Sequence, residues 1–368
     1  MKRIAISVSN DLFSDQRVKK TCQSLKMMGF EITLVGRLLN DSQPINDGHY
    51  EIKRMKLSFI KGPFFYANLN IRLFLFLLFH KADLLLANDL DTLLANYLIS
   101  KIKRIPLVYD SHEYFTEVPE LQGRFSKKVW EKIEKFIFPR LKDVFTVNDS
   151  IAQIYQKKYG VKVQTIKNFP NRNTQFTPLS RAELRIGNEP YIILQGAGIN
   201  IDRGSEELVL AMEFVSNVKL YIIGSGDVIP KLKQMVIVNN LMNKIAFIEK
   251  KKPEILKSYT FHAELGITLD KDTNLNYRYS LPNKIFDYIQ AGIPVLSSDL
   301  PEVKQVVLDN NIGIISPSHA PIDIAASINR MIGEDFKLNH AEELSNAANL
   351  LCWENQENLL QQVYQKFL

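Results

Sequence analysis

What most limits the fold of this chain is a recurrent pattern: a short run that is apolar at nearly every position, a stretch of helical periodicity, then another apolar run. Leu84–Ala87, Leu107–Tyr109 and Val144–Val147 are such runs, and none alternates polar with apolar residues. A strand with one face in water must alternate, so these runs belong to strands covered on both faces, in parallel sheets flanked by helices. The pattern opens with a strand at Lys2–Val8, a helix from about Ser14 to Met28 and a strand at Glu31–Val35. It breaks once, from Asn168 to Pro190, where Pro170, Pro178 and Pro190 stand among Asn and Thr residues without strong periodicity. That segment reads as an interdomain linker. Strands follow at Tyr191–Gln195, Val218–Ile223, Ile245–Ile248, Ala263–Leu269 and Ile293–Ser297, with helices at about Gly204–Phe214, Asp227–Asn240 and Pro253–Tyr259. Two doubly wound α/β domains in tandem are expected, residues 1–170 and 191–352 joined by 171–190, and 368 residues suffice for two cores.

A hydrophobic content of 46% with 23% charged residues is that of a soluble globular protein. Lys2 and Arg3 precede only Ile4–Val8, too short for the apolar region of a secretion signal and better read as a first strand. Cys22 and Cys352 provide neither a disulfide framework nor metal-ligand spacing, so a reducing cytoplasm is expected. Charge is unevenly shared: residues 1–170 hold 27 Lys and Arg against 17 Asp and Glu, a net +10, whereas residues 171–368 carry −4. A basic first half points to an anionic partner such as a membrane surface, a phosphorylated acceptor or nucleic acid, although a solvated surface would look similar. Asn68, Asn70 and Arg72 interrupt the hydrophobic window Phe64–Phe79, whose unbroken apolar run is too short to span a bilayer, and it reads as a buried crossover helix in preference to a membrane-dipping one. The segment Arg124–Lys142 alternates basic residues with aromatic and aliphatic ones, which suits an anionic membrane interface; Glu131 and Glu134 leave a core-facing helix as an equal alternative.

In doubly wound sheets ligands sit beyond the carboxyl ends of the strands. Ser9–Arg17 is a polar loop opening a helix at Ser14, and without G-x-G-x-x-G it disfavours a nicotinamide or flavin site. Asp15 and Arg17 are candidates to grip a polar acceptor, a helix cap with a surface ion pair being the plain alternative. Asn88–Asp91 contains an Asp-x-Asp that would suit a divalent cation with a diphosphate, but Asp89 or Asp91 as helix cap and dipole partner is favoured. Tyr109–Glu113 sets His112 between Asp110 and Glu113 after a buried strand, where it could bond a sugar hydroxyl or relay a proton. In Gln195–Gly204 and Gly224–Gly226, glycines permit close approach of the backbone to a ligand, and Arg203 can pair with a diphosphate.

The fifth stretch is Tyr277–Pro294: a loop, a helix opened by Pro282, and Gly292 closing it before the next strand. The N-terminus of such a helix collects anions, Lys284 and Arg278 add positive charge, and Asp287 lies one turn from Asn283. A phosphate with a hydroxylated neighbour fits there; an ordinary helix packing Ile285, Phe286 and Ile289 into a core is the alternative. With both glycine loops on the same domain, nucleoside-diphosphate binding is the better reading.

Over nearly its whole length the chain resembles the family 4 retaining glycosyltransferases of the GT-B fold, two Rossmann-like domains facing a central cleft. The resemblance rests on Asn10–Arg17, Ala87–Asp91, Asp110–Glu113, Arg203-Gly204, Gly224–Gly226, Ser280–Tyr288, Ala291–Val295 and Trp353-Glu354. It implies that the second domain holds a nucleotide-sugar co-substrate, with no cofactor and no metal. The first domain would hold a glycan or lipid-linked glycan acceptor, with the helix at 353–368 packing back on it. Closure about the linker would exclude water. The implied catalytic residues are His112, Arg203 and Lys284. Donor contacts would come from Gly198, Gly204, Gly224, Gly226, Tyr279, Ser280, Leu281 and Asn283, with Asp287 on the ribose. Acceptor contacts would come from Asn10, Asp15, Arg17, Asp89 and Glu113. Gly198 stands where the family usually has an arginine, and Tyr279 where it has an acidic contact to the donor sugar. The expected function is sugar transfer at the cytoplasmic face of a membrane, with no nucleic-acid partner. The alternatives are a nucleotide-sugar epimerase or hydrolase on this scaffold, and a non-catalytic carbohydrate- or membrane-binding module.

Overall fold

The computed structural model describes residues 1–12, 15–40, 42, 44–45, 50–172 and 176–368. The chain divides into two compact units, one of Met1–Asn168 with Asn355–Leu368, the other of Phe169–Glu354. In the first, the described strands are β1 (Arg3–Ser7), β2 (Glu31–Leu38), β3 (Glu51–Lys56), β4 (Leu84–Asn88), β5 (Leu107–Ser111), β6 (Asp143–Thr146) and β7 (Val163–Thr165). They form one parallel sheet in the order β3-β2-β1-β4-β5-β6-β7. The connecting helices are α1 (Gln16–Met27), α2 (Pro63–Phe79), α3 (Leu90–Lys103), α4 (Phe125–Ile137) and α5 (Asp149–Tyr159).

The second unit repeats the plan with β8 (Tyr191–Gly196), β9 (Lys219–Gly224), β10 (Ile245–Glu249), β11 (Leu265–Thr268), β12 (Val295–Ser297) and β13 (Gly313–Ile315), in the order β10-β9-β8-β11-β12-β13. Its helices are α6 (Ser205–Ala211), α7 (Ile229–Val238), α8 (Pro253–Phe261), α9 (Leu275–Arg278), α10 (Asn283–Gln290), α11 (Pro301–Asp309), α12 (Pro321–Gly333), α13 (Phe336–Asn339) and α14 (Ala341–Leu350). A last helix, α15 (Trp353–Tyr364), carries the chain back into the first unit, where Tyr364 packs on Phe30 and Phe145 and Lys366 pairs with Asp143.

Continuous apolarity has the expected cause. Along β8, Ile192 and Leu194 enter a core on one face of the sheet while Tyr191 and Ile193 enter another on the opposite face. Burying each such side chain contributes about 1.5–3 kcal/mol. The strands without an apolar run are those at the sheet edges. β3 is polar and half exposed, as charged edge strands that resist further pairing often are, while β7 and β13 are three residues long.

Three expectations change. Residues 176–190, read as a linker, pack on the second unit: Leu184 is buried, its carbonyl accepts from the Tyr259 hydroxyl at 3.1 Å, and Arg181 donates to the carbonyls of Gly187 and Glu189. Residues 173–175 of that segment lie outside the described residues, as does Ser14, the expected start of the first helix; α1 begins at Gln16 with Asp15 as its cap. The expected buried crossover helix, α2, is buried on one stripe only. Phe65, Leu69, Leu73 and Leu77 face the core at helical spacing, whereas Phe64 is 71% and Phe79 82% exposed. Among the described residues no helix is long and apolar enough to cross a membrane.

In both sheets the strand order reverses once, between β1 and β4 and between β8 and β11, and the loops after these strands open at that point.

Candidate active site

In the first unit, β4 ends at Asn88 and Asp89 takes a left-handed backbone (φ 59°) at the N-cap of α3. Its carboxylate does not cap that helix. Instead Oδ1 accepts the His112 backbone N–H at 2.7 Å, and Oδ2 lies 3.6 Å from His112 Nδ1. The capping role expected of Asp89 is thus replaced by a tie between two strand ends. Across the imidazole, Nε2 is 3.1 Å from Asn88 Oδ1 and 3.5 Å from Asp110 Oδ2. The carboxylates beside the imidazole are the expected Asp110 and, in addition, Asp89; the Glu113 carbonyl accepts from Ser111 Oγ at 2.8 Å. Burial opposes the imidazolium, but Asp89 and Asp110 outweigh it and lift His112 to about 9. Burial also raises Asp89 to about 7, against the pull of His112, and Asp91 to about 6.

Arg17, expected to grip an acceptor, is only 3% exposed and its donors are engaged inside the unit. Nε and Nη2 donate to the two Asp110 oxygens at 3.0 and 2.7 Å, and Nη1 donates to the Ile166 carbonyl at 2.6 Å. This fork holds the Asp110 carboxyl well below the usual carboxylate range despite its burial, so Arg17 positions the counter-ion of His112. Asn10 and Asp15 are likewise bound to each other: Asn10 Nδ2 donates to Asp15 Oδ2 at 2.6 Å, and Asp15 Oδ1 caps α1 by accepting from the Val18 N–H at 3.0 Å. Of the plain reading of that loop, the helix cap describes Asp15, but the surface ion pair is replaced by the buried pair of Arg17 with Asp110.

In the second unit the glycines divide by what they meet. A Cβ on Gly224 (φ 139°) would lie 1.8 Å from the Gly196 carbonyl oxygen, and one on Gly226 would lie 2.0 Å from that of Ile199. These glycines let the loops after β8 and β9 approach each other, a contact sealed by Ser225 N–H donating to the Gly196 carbonyl and Ile199 N–H to that of Ser225, both at 3.0 Å. The expected role, room for a ligand, thus does not account for Gly224 and Gly226. Gly204 (φ 69°) is pressed on Leu269 in the same way. Gly198 differs: the nearest atom to its notional Cβ is Asn200 Nδ2 at 3.8 Å, so that stretch of backbone is open.

Arg203 precedes α6 and stacks over the Tyr277 ring, its Cζ 4.1 Å from the centroid, while its guanidinium pairs with Asp270. Lys284, in the first turn of α10, reaches within 3.6 Å of the other Asp270 oxygen. Asp270 follows β11 and is 1% exposed. No motif drew attention to it; the available signal was a carboxylate just beyond an apolar run at the switch point. Burial pushes Lys284 down and Asp270 opposes that fall; for Arg203, burial is outweighed by Asp270 and Tyr277 and the shift is upward.

The placement of α10 follows from its sequence. Ile285, Phe286, Tyr288 and Ile289 are buried, and Gly266 in β11 leaves space for the Tyr288 ring, which a Cβ would approach to 2.3 Å. The Tyr288 hydroxyl donates to the Ile267 carbonyl at 3.1 Å. Seated so closely, α10 holds Asp287 beside the end of β8, where Gln195 Nε2 donates to its Oδ2 at 3.3 Å. Ser280 Oγ donates to the Tyr277 carbonyl at 2.9 Å, Leu281 packs on the core, Tyr279 caps α9 through its N–H, and Asn283 is exposed at the start of α10.

The comparisons with known proteins agree with this architecture. A family model for Glycosyltransferase Family 4 matches residues 15–171, and one for Glycosyl transferases group 1 matches residues 176–350. Among solved structures, sucrose-phosphate synthase from Thermosynechococcus elongatus superposes with a TM-score of 0.82 at 16% identity, covering 100% of this chain and 99% of that one. HepE of Anabaena, solved with UDP and glucose, gives 0.79 at 14% identity with 100% of both chains covered. A glycosyltransferase from Rickettsia africae gives 0.78 at 15%, covering 100% of this chain and 98% of that one. Among curated protein sequences none matches. The two sheets and their helices define the GT-B fold. Within that class, the chain belongs to glycosyltransferase family 4.

Proposed function

We propose that the protein moves a sugar from a nucleotide-sugar to a lipid-linked or polysaccharide acceptor, with retention at the anomeric carbon and without a metal ion. The observation that carries this reading is the convergence of Arg203 and Lys284 at the switch point of the second unit, beside the N-terminus of α10. In the transfer, the bond from the anomeric carbon to the diphosphate breaks and its electron pair stays on the phosphate oxygen. Two cations and the free N–H groups of a helix stabilise that charge without a divalent ion. The acceptor oxygen forms the new bond on the same face and its proton passes to the departing phosphate. Asp287, held by Gln195, accepts ribose hydroxyls. In the first unit, His112 as an imidazolium donates to a sugar hydroxyl, with Asp89 and Glu113 on the acceptor side. No cofactor is required.

Because HepE was solved with UDP and with UDP-glucose, a uridine-diphosphate sugar is the first donor to try. The net +10 of residues 1–170 supports work at an anionic, cytoplasmic membrane face. The test is a panel of nucleotide-sugars incubated with and without acceptor in excess chelator, the product read by proton NMR. An α-donor should give an α-linked product with chelator present. A β-linked product, or activity lost with the metal, refutes the mechanism; release of free sugar at the same rate without acceptor indicates a hydrolase.

A further inference from the structure

We propose that an apolar groove of the first unit, between α2 and α4, holds the hydrocarbon chain of a phosphate-headed lipid acceptor; this deepens the reading of that unit as the acceptor side. The groove has a volume of about 560 Å³, the size of a small-molecule site. Ala67 of α2, Leu94 of α3, and Val129, Trp130 and Ile133 of α4 line it. Trp130 forms a rigid wall, edge-on to Tyr66 at 5.1 Å and to Phe115 at 5.4 Å between centroids. At the mouth the lining residue Phe125 is 80% exposed, and Phe64, next to the lining Pro63, is 71% exposed.

Charge favours an anionic amphiphile over a neutral apolar partner. Arg124 lines the groove, and Lys128, Lys132 and Lys135 are exposed along the same helix. The nearby acids offset them in part: Glu134 is fully buried against Lys158 and Glu117 pairs with Lys127, which leaves Glu120, itself a lining residue, and Glu131 against these four cations. Long basic side chains beside an aromatic mouth are suited to a phosphate head whose tail enters the cleft between helices.

The groove also leads toward the chemistry. Asn70, another lining residue, donates to the Asp91 carbonyl at 2.8 Å and accepts from the Ala95 N–H at 3.2 Å. The groove therefore borders the first turn of α3, whose N-cap residue Asp89 faces His112. A lipid anchored there by its tail, with its phosphate at the basic mouth, is held beside α3, the helix that Asp89 precedes.

The test uses the full chain and calorimetric titration with decyl phosphate below its micellar concentration, against hexyl phosphate and inorganic phosphate. Each buried methylene tightens binding about three- to fourfold, so decyl phosphate should bind at least tenfold tighter than hexyl phosphate, and phosphate alone should not compete. Ala67→Trp, at an exposed position, should fill the groove and weaken decyl phosphate at least tenfold while leaving thermal stabilisation by UDP unchanged. Lys128→Glu with Lys132→Glu should weaken decyl phosphate more than decyl maltoside. Equal affinity for the two chain lengths, an unaffected Ala67→Trp, or decyl maltoside binding as tightly as decyl phosphate would overturn the proposal. So would a concentration-dependent dimer abolished by Ala67→Trp, which would assign the groove to a second copy. Decyl phosphate binding that Ala67→Trp abolishes, in a protein that UDP fails to stabilise, would uphold the groove and refute only the donor reading.

Discussion

Asp270→Asn separates the stability and binding roles of the cationic pair. The substitution keeps the side-chain shape and removes the one carboxylate between Arg203 and Lys284, which are 25% and 14% exposed. Leaving buried charge without its partner costs roughly 3–5 kcal/mol, and the partial exposure of Arg203 places the loss near the lower end. For a unit of this size, about 3 kcal/mol lowers the melting temperature by about 6–12 °C. Lys284 is already pushed down by burial, and without Asp270 it falls further. Deprotonating it relieves the repulsion, so the loss should be smaller at pH 9 than at pH 6. A diphosphate can replace the missing negative charge. Differential scanning fluorimetry with and without UDP should therefore show a less stable variant that gains more from UDP than the wild type does. A fall of less than about 2 °C, or an equal gain from UDP in both proteins, would refute the assignment of Asp270 as the counter-ion of this pair.

Three further outcomes follow from the same geometry. Because His112 is raised from 6.5 to about 9 in the folded protein, its contribution to stability is complete below about pH 6.5 and is lost as pH rises through about 9. Urea midpoints should fall over that range in the wild type, and His112→Gln should flatten the fall; an unchanged slope contradicts the ion pairs with Asp89 and Asp110. Gly224→Ala should abolish cooperative folding of the second unit, whereas Gly198→Ala should keep its melting temperature within about 1 °C and reduce UDP affinity. If the two behave alike on heating, the division between loop-packing and ligand-facing glycines fails. Arg17→Met should destabilise the protein by about 3–5 kcal/mol in denaturant titration, since it strands the buried Asp110; a stable variant altered only in acceptor KM would restore the acceptor role.

The central strands were legible because a strand buried on both faces carries a continuous apolar run, as β4 does over Leu84–Ala87, β5 over Leu107–Tyr109 and β8 over Tyr191–Leu194. Of the edge strands, β10 was legible as the apolar Ile245–Ile248, whereas β3 was not, since it meets solvent and carries charges instead. The loop ends that gather at the switch points were legible from their place after those strands. What single residues do there depends on contacts far along the chain. Arg17 and Asp110 are 93 residues apart, and nothing in either neighbourhood marks them as a pair. Gly224 and Gly198 look alike in sequence, yet one is fixed by a carbonyl at 1.8 Å and the other is open. Asp270 escaped notice because its meaning comes from Arg203 and Lys284, which reach it from the loop before α6 and from the first turn of α10. The exposed stripe of α2 was hidden by the unbroken apolar run Leu73–Phe79, in which no period separates a buried face from a surface one.

The central claim is that Arg203 and Lys284 receive the diphosphate of a nucleotide-sugar. Calorimetric titration of UDP into the wild type and into Lys284→Ala tests it most directly, with circular dichroism confirming that the variant is folded. The account predicts saturable one-to-one binding by the wild type and at least tenfold weaker binding by the variant, about 1.4 kcal/mol or more, the scale of a lost charge-assisted contact. Equal affinity in the two proteins would contradict it.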